Sequence, residues 1–549
     1  MNPGKRMHAG AIVLLAMVAW FLPAPDGLNH TQANKSRFIA RHVNLRLDPV
    51  RRTVRLLKGE AEKSDDEIVG ELKKQKEPLE ARQVRRIRNQ LALAESEAAE
   101  QELELLGVDA WRLFIIFIAT IAMILADVMP IFVCALGALA VSILTGVLTY
   151  QEGFSGFSNS TIILIVVAFA IARGVVRSGL GKRIAYLVIS KFGGSTLGLG
   201  YSLAVTDSLI APAFPSNTAR SGVLFPVAES VARSAGSVPE DGTRNKLGAY
   251  LMMNSIAGLS ISSSLWMTAM AANPLGVELA KGIDPEIDIS FATWFLASSL
   301  PALLALAVVP YLLYRFFPPE VTSTPGAPQA AKSELKKMGP VSRHEWIMAA
   351  TFVVLVACWA LSTVLGINRT VIALGGLFVL MATRVITMQD IRGSNGPATF
   401  VWFAALFTLS SYLDKFGFME WIGSQIGGAI DGWPAAVVYV VLLLSYVLIH
   451  YFFVSQTAHM VAVFPIFLTV GLAAGIPGTM LAMMLLLATN FFSALTPQAS
   501  SANVIFAGSG YLTAAEIYKN GGYVTLINTT IFGLVGTAWV WLVFEVFLS

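Results

Sequence analysis

From residue 111 onward the chain is a train of apolar segments, each close to the roughly 20 residues that a helix needs to cross a bilayer. Nothing else in the sequence constrains the fold as tightly. The clearest cores are 111–128, 130–149, 161–178, 247–272, 290–314, 346–365, 370–383, 399–413, 476–494 and 523–548. A backbone in hydrocarbon must satisfy its own hydrogen bonds, so runs of this length can only be helices. The composition agrees: 55% of the 549 residues are hydrophobic and 13% are charged, where a soluble chain carries about a quarter charged. The expected fold is an all-α polytopic membrane protein with about 11 transmembrane helices.

Two further apolar regions, 195–235 and 432–474, are too long for one crossing and are interrupted at the centre by polar residues. Their centres are near copies, 239 positions apart. Ser216-Asn217-Thr218-Ala219-Arg220 runs on to Phe225-Pro226, and Ser455-Gln456-Thr457-Ala458-His459 runs on to Phe464-Pro465. Broken backbone at membrane depth is tolerated only where protein buries it or a cavity receives it. Each region is therefore expected to be a re-entrant helical hairpin with its tip inside the membrane. The duplication implies two repeats, 111–317 and 346–549, each with five crossings and one hairpin. An odd number of crossings inverts the second repeat relative to the first, as in many secondary transporters.

The remaining segments are short or charged. Residues 1–8 form a tail, and Ala9 to Leu22 is apolar behind Lys5 and Arg6. No small-x-small cleavage site follows it, only Pro23-Ala24-Pro25, so 9–23 is read as a first membrane span. Between Lys35 and Glu104 stand sixteen Lys/Arg and fourteen Asp/Glu. Residues 24–110 are thus expected to be a charged helical extramembrane insertion, a solvated face or loose helical hairpin. Residues 318–345 read as a linker.

Basic loop residues set the orientation. Arg173, Arg177, Lys182, Arg183 and Lys191, then Lys332, Lys336, Lys337 and Arg343, then Arg384, Arg392 and Lys519 all fall on one side when crossings alternate. That side is the cytoplasm of a bacterial-type inner membrane, with the amino terminus inside and the carboxyl terminus outside. The insertion would then lie outside, in a loop longer than the roughly 60 residues over which the rule holds.

The hairpin tips carry the chemistry. Ser216, Asn217, Thr218, Ser455, Gln456 and Thr457 supply neutral donors and acceptors, and a helix begins just after each tip. Helix starts attract anions, and two facing starts suit a ligand with a carboxylate at each end. Arg220 and His459 lie one turn behind their serines. An intramembrane Arg needs a partner, which Asp207 on the incoming arm can supply; the matching position of the second hairpin is Tyr446. Two readings stay open: a structural Asp207–Arg220 ion pair, or Arg220 and His459 as charge-compensating cations that do the work of a bound metal ion. A second pair of polar patches holds Asn254, Gly258 and Ser260, and Asn490, Thr496 and Pro497. Gly258 and Pro497 are expected to unwind these spans and free carbonyls for substrate or a cation.

Other classes are excluded. Gly179-Leu180-Gly181-Lys182-Arg183 lacks the first glycine and the Ser/Thr of a phosphate-binding loop, and no Gly-x-Ser-x-Gly occurs. Cys134 and Cys358 sit in apolar runs without metal-ligand spacing, and His450 and His459 lack neighbouring carboxylates. The membrane part has no basic face for nucleic acid. Neither a cofactor nor a resident metal is expected.

The tip sequences resemble those of the divalent anion:sodium symporter (DASS) family, most nearly its branch of 2-oxoglutarate/malate translocators and citrate/succinate antiporters. So do Glu152-Gly153-Phe154-Ser155-Gly156-Phe157-Ser158-Asn159, Ala271-Ala272-Asn273-Pro274 and Gly508-Ser509-Gly510-Tyr511. The resemblance covers the first span and then 106–549. It implies a homodimeric elevator-type secondary transporter whose hairpin-tip Ser, Asn and Thr bind di- or tricarboxylates. Sodium-coupled members typically carry Ser-Asn-Thr in both tips and no Arg or His behind them. Gln456, Arg220 and His459 therefore favour sodium-independent exchange; the alternative is sodium symport, with Na+ near the tips.

Overall fold

The computed structural model describes residues 3–43, 45, 47–59, 63–74, 79–95, 99–393 and 396–547. Among them the chain is helical throughout, with one isolated β-bridge between Ser195 and Ser323. Eight helices are long and apolar enough to cross a membrane: Glu100–Leu125, Ser160–Ser178, Phe291–Phe316, Arg343–Ala360, Gly396–Lys415, Ala435–Phe452, Gln456–Ala473 and Ala514–Phe547. Shorter apolar helices add Met7–Trp20, Ile131–Leu144, Arg369–Ala382 and Gly478–Ala494. Capping is written into the sequence. Asn159 accepts the N–H groups of Thr161 and Ile162, and capping boxes at Ser342/Glu345 and Thr513/Glu516 start two more helices.

The chain divides into two compact units, one of residues 1–155 with 405–431, the other of 156–404 with 432–549. The first contains the insertion, which differs from a solvated mixed-charge hairpin. Helices Gln32–Val43, Leu47–Gly59, Asp65–Lys74 and Ala81–Ala94 enclose a hydrophobic core. Val50, Val54 and Leu57 recur one helical turn apart and are buried, as are Ile68, Leu72, Val84 and Ile87. The last helix of this bundle is Glu100–Leu125 itself, which contributes Leu103 and Leu106 to the core and runs on as an apolar span.

The bundle is tied to 405–431 by matched charges. The Glu420 carboxylate accepts the N–H groups of Gln32 (2.8 Å) and Ala33 (3.1 Å), an anion at the start of a helix. Arg51 pairs with Asp414 at 2.9 Å, and the Arg37 guanidinium lies 3.4 Å from the centre of the Phe416 ring. Gly417, with φ +83°, sits so close to this bundle that a Cβ there would come within 2.1 Å of Thr31 Oγ1.

The second unit holds both polar-interrupted regions. At its centre Gly248–Leu265 is buried along its whole length, so protein rather than lipid surrounds it. This explains how seven hydroxyl and amide side chains can stand in one apolar-depth helix.

Candidate substrate site

The two duplicated segments fold alike. Thr196–Ile210, a 3-10 turn at Ala211–Ala213 and Asn217–Ser234 make the first hairpin; Ala435–Ile449, His450–Phe452 and Gln456–Ala473 make the second. Each incoming arm ends in a 3-10 turn, each tip is extended, and the serine starts the outgoing arm. Ser216 has φ −150° and ψ 123°, Ser455 φ −146° and ψ 125°. Both hydroxyls accept the N–H of the residue three further on, Ala219 and Ala458, at 3.3 Å. Each serine is an N-cap, and one hydroxyl lone pair and its hydrogen stay available to a ligand.

The tips meet. Asn217 Nδ2 donates to Gln456 Oε1 at 3.1 Å, joining equivalent positions of the two repeats. The network fixes the sense of this bond. Asn217 Oδ1 accepts from Arg220 (2.5 Å) and Ser263 (2.7 Å), so its amide nitrogen faces Gln456. Gln456 Nε2 donates to the Thr489 carbonyl at 2.8 Å, so its oxygen faces Asn217. Thr218 Oγ1 lies 2.6 Å from Ser501 Oγ on a partly open edge, while Thr457 is 9% exposed and makes no side-chain hydrogen bond among the described residues. Asn217 and Gln456 thus join the tips directly, Thr218 turns to Ser501, and Ser216 and Ser455 cap the helices that leave the tips.

Behind the tips the repeats diverge. Arg220, fully buried, donates to Asp207 at 3.0 Å and to Ser262 at 2.6 Å, and its other nitrogen reaches Asn217 and Ser263. Ser262 also donates to Asp207. The guanidinium is therefore neutralised within its own hairpin, and no free positive charge stands behind the first tip. His459, equally buried, has no acid. Tyr446 packs edge-on at 4.4 Å between ring centres, and Phe453 and Phe492 lie at 4.8 and 4.9 Å. Its Nδ1 faces His450 Nδ1 at 3.2 Å. Among the described residues a second histidine is the hydrogen-bond partner of the His459 ring, and Ser455 Oγ bonds to the Ala458 N–H.

The second pair of patches divides in the same way. Gly258 does not unwind its helix: Gly248–Leu265 is continuous, and Gly258 gives close passage to Ala204 of the first hairpin. The break comes later, at Trp266–Met270. Asn254 spends its amide on the Gly200 carbonyl of the first hairpin's incoming arm (2.8 Å), and Ser260 turns its hydroxyl back on the Ala257 carbonyl of its own helix (2.7 Å), so neither bonds to the tips. Around Pro497 the chain is irregular between Phe492–Ala494 and Ser501–Ala507, with Thr496 in the break. Asn490 donates to Asn273 Oδ1 at 2.8 Å.

Sequence reasoning picked out the stretches holding Asn273 and Asn503 but not the part these two residues play in shaping the breaks. Asn273 Nδ2 binds the Ser263 and Trp266 carbonyls at 3.0 and 3.3 Å; Asn503 Nδ2 binds those of Ser493 and Thr496 at 2.7 and 2.9 Å. In both halves one asparagine pins two carbonyls released by a broken helix, with the same spacing along the chain. Asn-Pro after one break and Ser-Ala-Asn after the other were the available signals.

The fold and this paired seam define a class: a helical integral membrane transporter with a polar interior built twice over. The comparisons place it more closely. Residues 102–546 match the family described as the sodium:sulfate symporter transmembrane region. The chain belongs to this family, the divalent anion:sodium symporters, and is a transporter rather than an enzyme. It is 37% identical over 436 residues to the chloroplastic dicarboxylate transporter 2 of Spinacia oleracea, covering 78% of this chain and 77% of that one. It is 32% identical over 440 residues to the inner membrane protein YbhI of Escherichia coli, covering 78% and 91%. Among solved structures its fold is similar to the YdaH transporter of Alcanivorax borkumensis, with TM-score 0.51 and 15% identity over 75% of this chain and 89% of that one.

Proposed function

We propose that this protein is a secondary carrier that exchanges di- or tricarboxylates across a bacterial-type cytoplasmic membrane. The observation that carries the reading is the meeting of the two tips at Asn217 and Gln456, with serine and threonine hydroxyls from both repeats around them. Neutral donors at two opposed helix starts suit one carboxylate at each end of a small ligand. The relatives named as dicarboxylate transporters support that substrate class.

Exchange is favoured over sodium coupling by what occupies the first cage. Asn217 Oδ1, Ser263 Oγ and the Leu259 carbonyl are oxygens of the kind a hard cation takes, and all three already accept from Arg220. In this reading the repeats are inverted, the hairpins are re-entrant and move as an elevator, and the carrier is a homodimer with its amino terminus inside.

The test is counterflow in proteoliposomes with succinate, malate, 2-oxoglutarate, citrate, tartrate and sulfate, with and without sodium. Uptake that needs an internal carboxylate and ignores sodium is expected. Uptake driven by a sodium gradient into empty vesicles would replace exchange by symport, and transport of sulfate alone would remove the substrate class.

A further inference from the structure

The second cage contains a feature that anion exchange by itself leaves unused: a buried basic nitrogen with no partner. We propose that the His450–His459 pair is a proton-binding site, and that the carrier takes up one proton with each dicarboxylate it binds. The proposal rests on the carrier reading above.

The hydrogens can be counted. His450 Nε2 lies 3.1 Å from the Ala499 carbonyl, which only accepts, so this nitrogen carries a hydrogen. Between the two Nδ1 atoms, 3.2 Å apart, there is room for one hydrogen. With both rings neutral, His450 Nδ1 is bare and His459 Nδ1–H donates to it. His459 Nε2 is then bare as well, and it is buried with no hydrogen-bond partner. A proton arriving there forms one N–H bond, at the expense of one O–H bond in its donor, and no heavy atom has to move. The hydrogen between the rings can then sit on either Nδ1, so the positive charge is shared by both histidines.

The surroundings let the proton and the anion favour each other. Three helices pack along the outgoing arm: Ala435–Ile449, Ala272–Ile283 and Gly478–Phe491. The first brings Tyr446, whose hydroxyl is turned to Thr489 at 2.8 Å. The second has Glu278 and Lys281, engaged with Asn159 and Thr161 and with Asp288 respectively. The third brings Thr489 and Asn490 and leads into Phe492, which stacks on His450 at 3.8 Å. Among the described residues none of these supplies a carboxylate to the pair. A lone cation so placed is costly, and ring faces offset only part of that cost. His459 lies one turn behind the tip, its N–H bonded to the Ser455 carbonyl at 3.0 Å, so an anion at the tip supplies the missing counter-charge. Linkage makes the effect mutual.

The experiment is calorimetry of succinate binding to the purified carrier at a pH where the ligand is fully ionised, in two buffers of unlike ionisation heat, beside counterflow measurements on the same preparation. Wild type is expected to take up one proton per succinate, with affinity falling as much as about tenfold per pH unit through the titrating range. His459→Asn keeps a donor towards His450 but removes the protonated nitrogen, and is expected to bind without proton uptake and with a flat pH profile. His450→Gln keeps a donor towards Ala499 and leaves His459 Nε2 in place. It is expected to keep proton uptake with its titrating range moved to lower pH, because the charge is no longer shared. A wild-type heat independent of buffer, or proton uptake surviving in His459→Asn, overturns the proposal. Absence of counterflow with every carboxylate overturns the carrier reading instead, and the two failures are distinct.

Discussion

The two hairpins have the same backbone and opposite interiors. At corresponding places the first has Asp207 and Arg220 where the second has Tyr446 and His459, and Ser262 closes one cage as Phe492 closes the other. One repeat thus holds an ion pair braced by Ser262, Ser263 and Asn217, with Asp207 Oδ1 and Arg220 Nε left without a hydrogen-bond partner, the other an aromatic box around a histidine pair. The two hairpins share the parts that set the path of the chain, the capping serines and the extended tips, and the asparagines across the breaks match as well. The groups behind the tips differ in their electrostatics.

The comparison breaks most visibly at the acid. Asp207→Asn strands a buried guanidinium and is expected to cost about 3–5 kcal/mol. Tyr446→Phe, at the matching position, removes one hydroxyl contact worth about 0.6–1.7 kcal/mol in a membrane interior. Unfolding by a denaturing detergent, followed on both variants, checks this; equal losses would mean that the two cages carry equal weight.

The asparagines sharpen the comparison from the other side. Asn273→Ala and Asn503→Ala each release two carbonyls, and each is expected to cost about 1–3 kcal/mol. The two losses should agree to within a factor of about two by the same measurement, because here the repeats are alike. A large loss at one and none at the other would show that only one break is structural.

The smallest effect belongs to the first unit. Glu420→Ala removes the carboxylate that caps Gln32–Val43 and is expected to cost about 1 kcal/mol, read as earlier proteolysis of the insertion at unchanged carboxylate affinity. A change in affinity would tie the bundle to the transport cycle.

Much of this was legible in the sequence, for identifiable reasons. The tips could be found because a repeated Ser-x-Thr inside apolar sequence, followed by proline, has few physical explanations. Arg220 with Asp207 was legible because a buried charge demands a partner. His450 was seen without its role, since its significance comes from a contact through space with His459. Gly258 misled because an isolated glycine costs a helix only about 1 kcal/mol, which burial on every side outweighs. The insertion misled because its many charges mask the one-turn recurrence of Val50, Val54 and Leu57. Asn273 and Asn503 gave little signal, because their partners are backbone carbonyls that no side-chain pattern reports.

The bond between Asn217 and Gln456 has a further consequence. An amide joined to an amide has a head and a tail, and here both orientations are locked from behind, by Arg220 and Ser263 on one side and by the Thr489 carbonyl on the other. The seam between the repeats is therefore polarised along its length, although the backbone that builds it is nearly symmetric. On the carrier reading proposed above, a cargo with two identical ends would meet two unlike faces, and a cargo with unlike ends would be sorted into one way round.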